Sequence, residues 1–465
     1  MLPAEKFSSG SIQNLLLVFS IIGILLFIAT ILRLKVSFLR KAFVPASLIA
    51  GIIGLILGPY VLKVFPSELR SSMAALPTTM IVIVFATMLI GVKQPKIKET
   101  AKLIAPMFFQ GYTYSFVQFG LTCLLTGLIF VPFFDTNPLF GAVVEIGFLG
   151  GHGTAGGMSG IFESLGWAAG SDVGQTTATI GLIAGIFGGL ILINIGVKKR
   201  YTTFLEEVGN LNTGEDTYVG KAQKPSSHTT ISKNVVEGFA FHAALIGIAV
   251  YIGYAIVYVV DYFFHFSLPL FPFAMVGGWI LNAILQRTSI AQLIDRDTFV
   301  RIQGLCMDFL IVAAVASVSI PVILEYMAPL LIACAAAIAA TVFIFLYVSP
   351  RIFKNNWFEI GITRYGASTG VAATGLMLLR TVDPDMKTDA AKIYALNAPF
   401  SSPFIGGGLV TSAYPALIAM FGAVQCGAAF MGLALLCLIG CRIVGCWNSH
   451  PQFEQRGNYA EPDNK

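Results

Sequence analysis

The sequence predicts an all-α polytopic membrane protein: two inverted-topology five-span repeats, each with a re-entrant hairpin, plus one extra C-terminal span. Three observations predict it. Of 465 residues, 56% are hydrophobic and 11% charged, where soluble domains carry roughly a quarter charged. Apolar runs of about 18 residues or more recur along the whole chain. Two further apolar stretches are broken in the middle by glycines and hydroxyl residues, and those two resemble each other.

The first run, 12–33, follows Lys6 but is long and has no small-residue cleavage site, so it reads as a retained span and not a removed signal peptide. Spans follow at about 43–64, 77–92, 103–134 and 174–197. The second half offers spans at about 235–262, 268–286, 299–324, 327–349 and 390–421, then the extra one near 424–446. Of the 29 Lys and Arg, all but Lys6, Lys63 and Arg70 then fall on one side. This positive-inside bias puts the N-terminus outside and the C-terminus in the cytoplasm of a cell (inner) membrane. The net charge of +5 is thereby a topology signal and calls for no nucleic-acid partner. The polar stretch 198–233 is a cytoplasmic linker between membrane repeats at 1–197 and 234–423, and 424–465 holds the extra span and tail. All seven cysteines lie in apolar segments without CxxC or CxxH spacing, which favours helix packing over metal or disulfide chemistry.

Two segments, about 139–165 and 357–380, fit the charge rule only if each enters and leaves by one face. The first then dips from outside and the second from inside. Glu145-Ile146-Gly147 opens the first and Glu359-Ile360-Gly361 the second; at matching offsets Thr154 falls opposite Ser368 and Gly156 opposite Gly370. With opposed topology and the same span order, this is the pattern of an inverted-repeat secondary transporter. Non-helical backbone at membrane depth is tolerated only where protein buries it or a wet cavity faces it.

Glycine lets backbone approach a ligand, and a broken helix presents free N–H groups at one end and carbonyls at the other. The first favour a carboxylate; the second, with hydroxyls, suit Na⁺. Tip one offers Gly151, His152, Gly153, Thr154 and Ser159, and tip two Arg364, Tyr365, Ser368, Thr369, Gly370 and Thr374. The same residue types also occur wherever membrane helices pack closely. His152 reads as a donor to an anion, a proton carrier or a structural donor. Arg364 needs a counter-charge, from a substrate carboxylate, Glu145 or Glu359, unless it snorkels to the interface. Glu145 is a candidate to ligate Na⁺, bind a proton or pair with a base. Asp308, alone among apolar residues of the eighth span, is a second cation candidate or a helix-to-helix hydrogen bond. Asn397-Ala398-Pro399, with Ser401 and Ser402, breaks the tenth span, as part of a polar pocket or as a proline kink. Glu359, Asp383 and Asp385 read as solvated. The Gly54/Gly58 and Gly181/Gly185 pairs suit close helix contacts or a dimer face.

The string Gly150-Gly151-His152-Gly153-Thr154 resembles the bacterial sodium/glutamate symporter family. The likeness extends to Val36–Lys41, to Phe85-Ala86-Thr87 and to Tyr365-Gly366-Ala367-Ser368-Thr369-Gly370, and so covers about 12–421. It implies Na⁺-coupled uptake of L-glutamate, a homodimer with an elevator-like motion, and substrate and sodium sites at 150–154 and 366–370. Thr363 and Arg364 stand where the family usually opens its second hairpin with Gly-His-Cys-Gly. Glu145 replaces a small polar residue, and the last span is extra.

The expectation is therefore a sodium-coupled symporter for glutamate or a related small carboxylate, with Na⁺ as co-transported ion and no cofactor. Its partners are that small anion, Na⁺ and the lipid bilayer. Proton-coupled dicarboxylate or amino-acid transport is the alternative within the class, and a channel the alternative outside it. The sequence has no HExxH metal pair, and an enzyme is not expected.

Overall fold

The computed structural model describes residues 9–37, 39, 44–92, 97–205, 227–232, 234–264, 269–383, 387–449, 451 and 453–454. Among them there is helix and no strand. Eight helices among the described residues are long and apolar enough to cross a membrane, and four shorter apolar helices accompany them.

The helices needed to place the site are, in chain order, α1 (Ser9–Lys35), α2 (Ala46–Leu57), α3 (Ser67–Thr87), α4 (Ile97–Leu125), α5 (Val143–Phe148), α6 (Gly151–Gly157) and α7 (Gly170–Ile183). After the stretch 206–226, which lies outside the described residues, come α8 (Gly238–Phe264), α9 (Leu270–Leu285) and α10 (Arg296–Ala316). The chain continues with α11 (Met327–Phe343), α12 (Trp357–Val382), α13 (Ala390–Ser401), α14 (Leu409–Phe421) and α15 (Ala423–Ile443).

These helices sort into two compact units. One comprises Met1–Val92, Gly156–Ile161 and Glu215–Leu324; the other comprises Lys93–Ala155, Phe162–Gly214 and Glu325–Lys465. Each unit draws on residues from both sides of the 198–233 linker.

The first unit is held by small residues. A Cβ at Gly51 would stand 2.5 Å from Val315 Cβ, and one at Gly54 2.7 Å from Ala316 Cβ, so α2 and α10 run in near backbone contact. Gly54, read as packing or dimer face, is thus a packing residue. The third span begins at Ser67 and not near 77. Its polar first turn is tied down by Arg70, which donates to Ser317 O at 2.8 Å and lies over the Tyr60 ring. The second and seventh predicted spans are only 12 and 16 residues long as helix. The eighth stops at Ala316.

Asp295 starts α10. Its Oδ2 accepts from Thr298 N at 3.0 Å, Thr298 Oγ1 at 2.6 Å and His228 N at 3.2 Å. Burial raises its pKa, but these donors outweigh that effect and the net value lies below the ordinary carboxylate range. A carboxyl depressed on folding contributes stability above its unfolded value, and that contribution is lost as pH falls through the folded value. Asp295→Ala is therefore expected to lower stability by about 1 kcal/mol at neutral pH. The gap should begin to narrow below about pH 4 and close only below the folded value. Thermal midpoints across pH check this, and equal midpoints at pH 7 would remove the cap.

The second unit has an aromatic core: Tyr114, Phe345, Trp357, Phe358 and Tyr365 are all buried. α4 packs along α15. The tenth predicted span is two helices, α13 and α14. Helix continues through Pro399 to Ser401, and the break falls at 402–408, in the run Gly406-Gly407-Gly408. Gly406 and Gly407 have φ of +69° and +101°, backbone that glycine adopts freely and other residues adopt at a cost. The break therefore lies at the glycine run and not at the proline.

Candidate functional site

Both glycine-broken segments form helix, break, helix, and their breaks adjoin inside the second unit. In the first, α5 ends at Phe148 and α6 begins at Gly151, whose φ is +73°. Glu145 O accepts from Leu149 N and Gly150 N, and Thr154 Oγ1 donates to Gly150 O at 3.0 Å, so the break satisfies its own backbone. In the second, α12 is interrupted at Gly370 (φ −132°, ψ 34°) and Val371 (φ 61°, ψ 176°). Thr374 Oγ1 donates to Gly370 O at 2.5 Å and Thr369 Oγ1 to Tyr365 O at 2.9 Å. A Cβ on Gly151 would stand 2.5 Å from Val371 Cγ1, so the two breaks touch.

Neighbouring helices give way to admit them. Gly147 faces Thr177 on α7, whose hydroxyl donates to Val143 O and Gly174 O. Gly181 and Gly185 clear space for Thr369, so this glycine pair is an internal contact. The wide π-turn Ala184–Gly188 presents the Ala184 carbonyl to the Tyr365 hydroxyl at 3.1 Å. Such turns recur at functional sites.

One face of α4 lies along both breaks. Gly111 sits under the Arg364 guanidinium, Ser115 Oγ donates to Glu145 Oε1 at 2.7 Å, and Gln118 Nε2 donates to Ser368 O at 2.8 Å and Thr341 Oγ1 at 3.2 Å. The spacings of four and three residues put these groups on one stripe.

Arg364 is 4% exposed. The titratable groups close enough to act on it are Tyr112, Tyr114 and Tyr394. Among the described residues no carboxylate pairs with it, and its Nε has no hydrogen-bond partner. It neither snorkels nor pairs with Glu145 or Glu359. Glu359, expected in solvent, is fully buried. Thr203 N donates to its Oε1 at 2.6 Å and Thr203 Oγ1 to its Oε2 at 3.2 Å. Asp383 is also buried, accepting from Lys387 N, Thr388 N and Thr388 Oγ1. Both corrections have one cause: a carboxylate that gathers backbone N–H groups stays inside without a cation. Asp385 lies outside the described residues.

Glu145 is fully buried. Its Oε1 accepts from Ser115 Oγ and, at 3.0 Å, from Thr411 Oγ1. Its Oε2 has no partner. His152 Nε2 lies 2.9 Å from Thr179 Oγ1, which donates to Gln175 O and so accepts the imidazole proton.

The structure thus brings Gly151, His152, Gly153, Thr154, Arg364, Ser368, Thr369, Gly370, Thr374 and Glu145 into one unit. Asn397 belongs to it too, donating to Ser401 Oγ at 3.2 Å with its Oδ1 unpartnered. Ser159, bonded to Thr78 at 3.0 Å, and Asp308, on an exposed position of α10 near Ser47, belong to the other unit. Ser115, Gln118, Tyr114, Thr411 and the 406–408 glycines were missed. A signal existed for the first two: Gln110, Ser115, Gln118 and Thr122 recur every three to five residues in an apolar span. Buried polar atoms without partners concentrate here as well, among them Tyr114 OH, Gln118 Oε1, Glu145 Oε2, Arg364 Nε, Ser368 Oγ and Asn397 Oδ1. A folded protein leaves few such atoms, and a cluster of them calls for a ligand or water.

The sodium/glutamate symporter family model matches residues 12–373. The chain belongs to that family. It is accordingly a multi-pass membrane protein of a transporter family. Comparison with curated proteins and with solved structures finds no match. Within this symporter-family chain the matched region takes in both glycine breaks and the α4 stripe, and it ends before α13, α14 and α15.

Proposed function

We propose that the chain is a sodium-coupled symporter importing L-glutamate or a related small carboxylate across the cell (inner) membrane. The observation that carries this reading is Arg364: a buried guanidinium with tyrosines around it and no carboxylate against it. A buried cation without a partner is costly, and a substrate carboxylate matches its planar fork. The touching breaks support it further, since Ser368, Thr369, Gly370 and Thr374 gather hydroxyl and carbonyl oxygens of the kind Na⁺ takes. Gly151, His152, Gly153 and Thr154 line the other side of the contact, and Asn397 completes the polar wall. Ser159 and Asp308 are weaker sodium candidates because they fall in the other unit.

In this reading 139–165 and 357–380 are re-entrant hairpins of two inverted repeats, with the N-terminus outside and the C-terminus in the cytoplasm. The carrier works as a homodimer by an elevator-like motion. Each net charge moved inward gains about 2.3 kcal/mol per 100 mV of membrane potential, in addition to the sodium gradient.

The test is uptake in proteoliposomes against a panel of amino and dicarboxylic acids, with Na⁺ varied at fixed pH. Accumulation of glutamate above its equilibrium level only with an inward Na⁺ gradient is the expected result. Accumulation driven by a pH gradient without Na⁺ would replace sodium by protons, and flux only down the substrate gradient would make the protein a channel.

A further inference from the structure

We propose that Glu145 is the residue that selects the substrate's amino group: its carboxylate receives the α-ammonium of an amino acid whose carboxylate is held by Arg364. This rests on the symporter reading and names the substrate class of the same site.

The Glu145 carboxyl sits among hydroxyl donors. Ser115 and Thr411 hydroxyls both donate to Oε1. Ser115 Oγ also lies 3.0 Å from Tyr414 OH. With its own proton on Glu145, Ser115 accepts there, so the Tyr414 proton points the same way. Tyr414 is fixed by stacking on Phe119, centroids 3.7 Å apart and planes 7° apart. The Oε2 atom remains: fully buried and unpartnered. Among the described residues no Lys or Arg forms an ion pair with this carboxylate.

Arg364 is its complement. Each of the two is a buried charge whose neighbours are neutral, and they do not pair with each other. Both sit on one face of α4, Arg364 over Gly111 and Glu145 at Ser115. Four residues of helix separate the anchoring positions by about 6 Å along the axis. A guanidinium and a carboxylate held about one turn apart in a buried site present opposite charges to the two ends of a zwitterion. A plain dicarboxylate would satisfy Arg364 and leave Glu145 buried and unanswered, which a site built for a donor penalises heavily.

The experiment uses the full-length carrier in proteoliposomes with an inward Na⁺ gradient and labelled L-glutamate, with unlabelled L-glutamate and glutarate as competitors. Glutarate keeps both carboxylates and lacks the amine. Glutarate is expected to compete about 100-fold less well than L-glutamate in the wild type. In Glu145→Gln the two should fall within about threefold of each other, with Na⁺ dependence retained. Comparable competition in the wild type overturns the assignment whether or not the variant folds. A Glu145→Gln carrier that keeps the preference overturns it as well, and one that loses Na⁺ dependence makes Glu145 a sodium ligand instead. No Na⁺-driven accumulation of labelled L-glutamate by the wild type sinks the symporter reading and this assignment with it; accumulation that glutarate inhibits as well as unlabelled L-glutamate does sinks this assignment alone.

Discussion

Arg364→Met abolishes Na⁺-driven uptake and raises the thermal midpoint of the empty carrier. Both effects have one origin. The guanidinium lies inside the second unit with tyrosine neighbours and no carboxylate, so the empty state carries an unanswered buried charge. Replacing such a group by an apolar side chain of similar length is commonly neutral or stabilising, by up to a few kcal/mol. Removing the charge also removes the partner for the substrate carboxylate. Truncating one side of a buried charged pair costs about 2–5 kcal/mol, or roughly 30-fold to several thousandfold in affinity. Arg364→Lys keeps the charge but not the fork, and should recover little. Arg364→Ala, which leaves a void beside Gly111, should bind no better while remaining folded and inserted. Ligand-induced shifts of the thermal midpoint separate the two effects: glutamate stabilises the wild type by linkage and leaves all three variants unmoved. An unchanged KM in Arg364→Ala would take this residue out of the site.

The long apolar helices were legible because hydropathy over about 20 residues is a one-dimensional property. Their lateral partners are not. α2 is a short helix inside an apolar run that reads as a full span, because the run continues into a turn, 58–62, that is equally apolar. Glu359 and Asp383 show a second limit. In sequence each is an acid in a polar neighbourhood, and nothing local says that Thr203 or Thr388 will supply the donors that keep it buried. The two glycine breaks were readable from composition, since Gly151 needs a positive φ that few residues tolerate. Their contact was not, because it joins residues far apart in the chain. The α4 stripe lies between these cases: Ser115 and Gln118 stand out in an apolar span, yet only their partners, Glu145 and Ser368, give them a role. Pro399 misled in a specific way. A proline inside a membrane helix is tolerated when neighbours satisfy the freed carbonyl, so the break moved to the glycines that followed.

Gly151→Ala is expected to reduce uptake at least about tenfold, and the loss should depend on Val371. Two penalties arise. Alanine at a φ of +73° carries roughly 1–2 kcal/mol of backbone strain. Its methyl would also stand 2.5 Å from Val371 Cγ1, closer than any relaxed contact, so one break must withdraw from the other. Val371 has little room to yield, being a β-branched residue at φ 61° and ψ 176°, a region that glycine almost alone occupies and that costs about 1–3 kcal/mol. The surrounding packing holds it there. Shortening Val371 to alanine removes the clash but not the strain at Gly151, so the double variant should recover part of the lost stability and uptake. The coupling between the two sites, measured as a double-mutant cycle on thermal stability, is then expected at about 1 kcal/mol or more in favour of the pair. Val371→Gly alone relieves its own strain while loosening the contact, so it should lose uptake without losing comparable stability. Additive effects of Gly151→Ala and Val371→Ala would mean that the breaks do not touch in the working protein. The contact between them, on which the shared site depends, would then have to be abandoned.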